Sequence, residues 1–195
     1  MKLRTGNFLV AAALLFISMA PIATAQPKTN RPANWAQPMK VAGVKNCYQV
    51  STNLYRGAQP TSIGFKNLKA LGIKTIVNLR EWHSDKAKMA GTGLQSDRFE
   101  MEPWHANKKE VIEFLKLAAN TNNFPIFVHC ERGADRTGMM CAMYRIAVCG
   151  WSKPQAIDEM KHGGFGYNPT WHELITFIEK ADIADIKRRA GLVEN

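Results

Sequence analysis

Residues 126–140, IFVHCERGADRTGMM, constrain the fold more than any other stretch of this chain. The run Ile126-Phe127-Val128 is short, partly β-branched and preceded by Asn-Asn-Phe-Pro, so it reads as a buried strand leaving a turn. The apolar run from Thr137 to Cys149 is too long for a strand and reads as a helix. Cys130 to Arg136 therefore join the end of a strand to the start of a helix, where unpaired N–H groups and the helix dipole favour an anion. The junction has the form of an anion cradle that holds a thiol.

The rest of the chain alternates in the same way. Tyr48–Pro60 suggests a short strand pair around Val50 and Leu54 to Arg56, closed by a Pro-containing turn. Ser62 is placed to cap a helix carrying Ile63, Leu68 and Leu71, which Gly72 ends. Ile73 to Leu79 reads as a central strand, followed by a Gly-rich loop at 90–97 and a weaker strand at Arg98 to Met101. Helices follow at Lys108 to Ala119, after a capping box at Ser152 and Gln155, and from Pro169 towards Arg189. Strands alternating with helices, then a helical tail, give an α/β layer around one central sheet.

The ends are set apart by composition. Lys2 and Arg4, the apolar stretch from Phe8 to Ala20 and the small-x-small triplet Ala23-Thr24-Ala25 have the order of a signal peptide, so residues 1–25 are expected to be removed on export to the periplasm or medium. The apolar stretch is short for a membrane span, and no stable membrane insertion is expected after cleavage. Residues 26–40 are rich in Pro, Asn and Gln without a period and read as a flexible arm, leaving 41–195 as one domain of ordinary size. Loss of Lys2 and Arg4 with no acidic residue takes the formal charge from +10 to +8. A basic surplus suits anionic partners, but it does not choose among them. The tryptophans at 35, 82, 104, 151 and 171 are scattered without basic-aromatic interleaving, so packing is their simplest role and nucleic acid is not an expected partner.

The four cysteines at 47, 130, 141 and 149 show no CxxC and no Cys-His spacing for a metal. Cys141 and Cys149 read as buried apolar side chains of the long helix, whereas the pairing of Cys47 is open. Cys130 is different. The following helix N-terminus, the loop N–H groups and Arg136 all favour its thiolate, the form that attacks phosphorus. Arg136 offers a planar fork matched to two phosphate oxygens. Gly133 lets successive N–H groups turn inward, and Thr137 stands where a hydroxyl donates to the sulfur.

A Cys with an Arg six positions on is a weak signal alone; His129, Gly133, Thr137 and Gly138 around it make it strong. VHCERGADRTG resembles the signature of cysteine-dependent phosphatases, and the chain is similar to the compact dual-specificity-like phosphatases of bacteria over roughly residues 47–180, including NLYRGAQP, IKTIVNLR, MYRIAVCGWSKPQAIDEM and GGFGY. The resemblance implies a central mixed sheet flanked by helices, a cysteinyl-phosphate intermediate, and neither metal nor cofactor. It implies substrates that are phosphorylated proteins, phosphoinositides or small phosphate esters. Cys130 becomes the nucleophile, Arg136 the phosphate clamp and Glu131, Arg132, Gly133, Ala134 and Asp135 the rest of the cradle, with His129 and Thr137 tuning the thiol.

The chain departs from the family at the general acid, normally an aspartate on the loop after the strand at 98–101. Pro103 stands there, with Glu102 and His105 beside it and Asp97 too early. Asp135, inside the cradle, is the candidate acid, and a carboxylate that braces the loop is the competing role. Arg56 and Gln59 either reach the phosphate from the side or anchor a turn. A sulfur transferase, an arsenate reductase or a non-catalytic phosphate-binding domain would use a similar loop. The Arg136-Thr137 ending and the intact Cys130 favour phosphoryl transfer.

Overall fold

The structure is a computed structural model that describes residues 31–193, so the apolar leader, the first part of the arm and the last two residues lie outside the described residues. Six strands form one mixed sheet: β1 (Gln37–Pro38), β2 (Tyr48–Gln49), β3 (Leu54–Gly57), β4 (Thr75–Arg80), β5 (Gln95–Met101) and β6 (Ile126–His129). Their order is β1-β2-β3-β6-β4-β5. The four strands from β3 to β5 run parallel, while β1 and β2 are antiparallel additions at one edge. The helices are α1 (Ser62–Ala70), α2 (Lys86–Met89), α3 (Lys108–Ala119), α4 (Asp135–Ala147), α5 (Lys153–His162), α6 (His172–Lys180) and α7 (Ile183–Arg189).

Central strand β6 feeds both faces of the sheet. Ile126 and Val128 point into the larger core with α3, α4, α5 and α6, and Phe127 points into a smaller core with Phe65 and Leu68 of α1. Period-two alternation in a strand buried on both sides explains the unbroken apolar run. Burial of each such side chain contributes roughly 1.5–3 kcal/mol. All of α4 is buried, its apolar residues in the larger core and its charged ones partnered, Asp135 by Asn168 N, Arg136 by Met101 O and Arg145 by Glu159. The C-terminal ends of β3, β6 and β4 lie on the same side, where an open α/β sheet presents its ligand crevice.

Several local expectations shift. Thr61, not Ser62, caps α1, its Oγ1 accepting from Gly64 N at 3.1 Å. The helix turns Phe65 and Leu68 inward and leaves Ile63 and Leu71 exposed. Gln95, Ser96 and Asp97 belong to β5, because pairing with Thr75, Ile76 and Val77 outweighs their loop-like composition. The expected last helix is broken: a turn at Pro169–Trp171 precedes α6, and Asp182 opens α7 by accepting from Asp185 N at 3.0 Å. Residues 31–40, read as flexible, are docked on the domain. Arg31 donates to Gly163 O at 2.7 Å, Ala36 N donates to the buried Glu159 carboxylate, and β1 pairs with β2. Cys149 lies beyond the end of α4 and is exposed, not buried; Cys47 is buried and unpaired, and burial pushes its thiol up to about 11.

Candidate active site

Cys130 is the first residue after β6 and lines a cavity of about 180 Å³ with Pro103, Glu131, Arg132, Asp135, Arg136 and Trp171. The cradle forms because β6 ends against the N-terminus of α4, with Gly133 at φ 69° making the turn between them. A Cβ at position 133 would lie 2.3 Å from Gly57 C, so the cradle rests directly on the backbone at the end of β3. Gln59 N donates to Glu131 O at 3.1 Å and ties the same segment to the start of the loop.

Arg136 sits in the first turn of α4, where Nη1 donates to Met101 O at 3.1 Å and to Leu79 O at 3.4 Å. The ends of β4 and β5 thereby fix the guanidinium, and Arg136 lines the cavity with Cys130. Thr137 departs from expectation. Its buried Oγ1 makes no hydrogen bond among the described residues, to sulfur or to any other atom.

His129 is fully buried, and both its ring nitrogens face acceptors: Nδ1 is 3.1 Å from Cys130 O and Nε2 is 2.9 Å from Asp85 Oδ2. Asp85 also accepts from Gln59 Nε2, and Gln59 Oε1 accepts from Arg80 at 3.1 Å. Burial alone would raise the Asp85 carboxyl, but the hydrogen bonds from His129 and Gln59 and the charges of His129 and Lys88 outweigh it and hold it below its ordinary value.

Asp135 lines the cavity and is also a brace, Oδ1 accepting from Asn168 N at 2.8 Å and Oδ2 lying 3.7 Å from Arg132. Glu102 is exposed and does not line the Cys130 cavity, and Asp97 is exposed on β5. His105 borders a different cavity, between α3, α6 and α7. Arg56 does not reach towards the cavity; it grips the loop from behind through Gly133 O and Ala134 O.

Sequence reasoning missed Asp85, Arg80 and Trp171. Trp171 walls the cavity with Trp104 beside it, ring centroids 6.2 Å apart. No group of three or more His, Cys, Asp or Glu side chains is placed to hold a metal among the described residues. None of their helices is long and apolar enough to cross a membrane.

A family model described as DSP-PTPase phosphatase fused to NAD+ kinase matches residues 27–170. The dual specificity protein phosphatase TpbA of Pseudomonas aeruginosa is 33% identical over 186 residues, which cover 93% of this chain and 83% of that protein. The crystal structure of TpbA in complex with pTyr aligns at a TM-score of 0.73 and 30% identity, over 83% of this chain and 98% of that one. The catalytic core of the PP-IP phosphatase Siw14 from S. cerevisiae aligns at 0.68 and 26% identity, over 78% and 95%. These likenesses bear out the expected fold and the expected class of enzyme: the chain belongs to the DSP-PTPase family and is a cysteine-dependent phosphatase.

Proposed function

We propose that this phosphatase hydrolyses aryl phosphate monoesters, phosphotyrosine in proteins above all, through a cysteinyl-phosphate intermediate and outside the cytoplasm. The observation that carries the reading is the single cavity shared by Cys130 and Arg136 at the end of β6 and the start of α4. The Cys130 thiolate attacks phosphorus while Arg136 holds two of the phosphate oxygens. The S–P bond forms, the P–O ester bond breaks, and the leaving oxygen takes a proton from Asp135. Water then attacks phosphorus, returns a proton to Asp135, and frees inorganic phosphate and the thiolate.

The cavity walls support the substrate class. Trp171 and Pro103 offer flat apolar surfaces to a phenyl ring, whereas the two arginines are matched by two carboxylates, Glu131 and Asp135. An inositol polyphosphate calls for a cation surplus that this balance lacks. An adjoining space of about 230 Å³, where Arg80, His83 and Arg136 stand against Glu81 and Glu131 beside Trp82 and Trp104, supplies room and an extra basic side chain for a diphosphate ester as second reading.

A screen of phosphotyrosine peptides against phosphoinositides and inositol diphosphates, run on wild type and on Asp135→Asn, tests the proposal. Tyrosine phenolate needs protonation to leave and nitrophenolate does not. The variant is expected to lose about a hundredfold on phosphotyrosine and far less on nitrophenyl phosphate. Equal losses on both would leave Asp135 as a brace only, and a preference for polyphosphate esters would replace the substrate assignment.

A further inference from the structure

Arg56 is a buried cation without a carboxylate. Its side chain is 1% exposed, Nη2 donates to Gly133 O at 2.7 Å and Ala134 O at 3.3 Å, and Nε has no partner among the described residues. The Phe165 ring covers the guanidinium at 3.7 Å from its centroid, and Arg31 lies 5.3 Å from the same centroid, so the immediate surroundings add positive charge. Glu159, the buried carboxylate that Arg31 senses, is held by Arg145 at 2.9 Å. Burying an unpaired charge costs several kcal/mol in a typical protein, so a counter-ion is to be expected nearby.

The geometry shows where one fits. In a trans peptide the C=O and N–H point in opposite directions. Gly133 O is turned to Arg56, and Ala134 O accepts from both Gly138 N at 2.7 Å and Arg56, so the N–H groups of Ala134 and Asp135 point away from the guanidinium. Neither has a backbone acceptor outside regular secondary structure.

We propose that Arg56 is a positioning residue of the phosphoryl-transfer site: it aims the Ala134 and Asp135 amides at the phosphate, and the bound phosphate or the Cys130 thiolate serves as its counter-ion across those peptide groups. The inference rests on the reading of residues 131–136 as the phosphate cradle. Other charges facing these groups are few. Glu131, Arg132, Asp135 and Arg136 line the cavity with Cys130, and His129 is turned away to Asp85. Cys141, on α4, senses both Arg56 and Cys130; burial pushes its thiol up to about 11, so it stays neutral and offers no competing anion.

Two variants separate charge from hydrogen bonding. Arg56→Gln keeps a donor for the carbonyls and removes the charge; Arg56→Lys keeps the charge and loses the fork. The readouts are the pH profile of Cys130 alkylation by iodoacetamide, followed on its own peptide by mass spectrometry, and the dissociation constant for vanadate, with thermal melts to verify folding. Neither readout needs turnover, so a chain inactive on every ester would overturn the proposed substrate class and leave this inference standing. Arg56→Gln is expected to move the alkylation profile up by about one pH unit and to weaken vanadate at least about tenfold. Arg56→Lys is expected to leave the profile in place while weakening vanadate by about tenfold, because the amides lose their aim. A purely structural residue would lower the melting temperature in both and move neither readout, and that result overturns the proposal. Should Arg56→Gln fail to fold, Arg56→Lys decides alone: wild-type vanadate affinity in that variant refutes the positioning role, and weakened affinity on an unmoved profile supports it.

Discussion

Gly133→Ala tests whether the cradle depends on the backbone beneath it. The added Cβ would stand 2.3 Å from Gly57 C, 2.4 Å from Gly57 O and 2.5 Å from Ala58 N, whereas ordinary contact begins near 3.4 Å. One segment must retreat by about 1 Å, and it cannot do so as a side chain swings. Ala58 N is tied to Lys45 O at 2.9 Å and Gln59 N to Glu131 O at 3.1 Å. Holding alanine at φ 69° adds about 1–2 kcal/mol, and the overpacking about 1–3 kcal/mol more. The sum, roughly 2–5 kcal/mol, corresponds to a melting point lower by about 5–15 °C in a domain of this size. A displacement of about 1 Å at the phosphate oxygens costs on the order of a hundredfold in kcat/KM. Gly150→Ala is the control, since Gly150 has φ 72° but nothing within 4 Å of its Cβ. It is expected to lose about 1–2 kcal/mol and no activity. Melts and nitrophenyl phosphate turnover on both variants decide. If Gly133→Ala matched Gly150→Ala in stability and kept wild-type kcat/KM, the close approach to Gly57 would have no part in shaping the cradle.

Two further outcomes are expected. Arg136→Lys should lower kcat/KM by at least about a hundredfold, because a point charge replaces neither the fork on phosphate nor the anchors at Leu79 O and Met101 O; near-normal steady-state kinetics would remove Arg136 from the clamp role. Mass spectrometry of the exported protein should find the N-terminus at Gln26, and a chain that keeps Met1 inside the cell would refute the proposed location.

What the sequence displayed of this fold was mostly local. β6 and α4 were legible because an apolar run of strand length and one of helix length flank a polar loop, and the capping box at Ser152 is itself a short-range pattern. The cradle residues were legible for the same reason, lying within seven consecutive positions. The rest depends on contacts across the chain. Asp85 stands before a short helix as many N-caps do, yet its carboxylate makes no capping bond and reaches His129, 44 residues away. Nothing local distinguishes Trp171 from the other tryptophans; it becomes a cavity wall because Asp135 holds Asn168 and so places the turn that follows. Residues 31–40 of the arm were hidden for the opposite reason. Its Pro- and Asn-rich composition is that of a mobile segment, but Arg31 and Ala36 find buried partners that composition cannot reveal.

A single stretch, Leu54 to Gln59, grips the cradle on both faces of the sheet. Arg56 shares the α4 face with Leu54, Gly57 and Ala58 carry Gly133, and Gln59 turns back to Asp85 on the other side and to Glu131 O. Position and energy are therefore coupled through Gln59 and Asp85, and a double-mutant cycle of Gln59→Leu and Asp85→Asn measures the coupling. Each variant is expected to lose about 1.5–3 kcal/mol, as for buried hydrogen bonds to a charged group. The pair should lose less than the sum by about 1 kcal/mol or more, since the second change finds the bond already gone. Acid adds an independent check. The Asp85 carboxyl is held below its ordinary value, so its contribution is present above the ordinary carboxylate range, near pH 4, and fades as pH falls through the lowered value. Asp85→Asn should therefore narrow its stability deficit to wild type as the pH is lowered below about 4. Strict additivity in the cycle, with a deficit that stays constant into acid, would mean that His129 is held by packing against Phe65 and Phe127 and that Asp85 is a bystander.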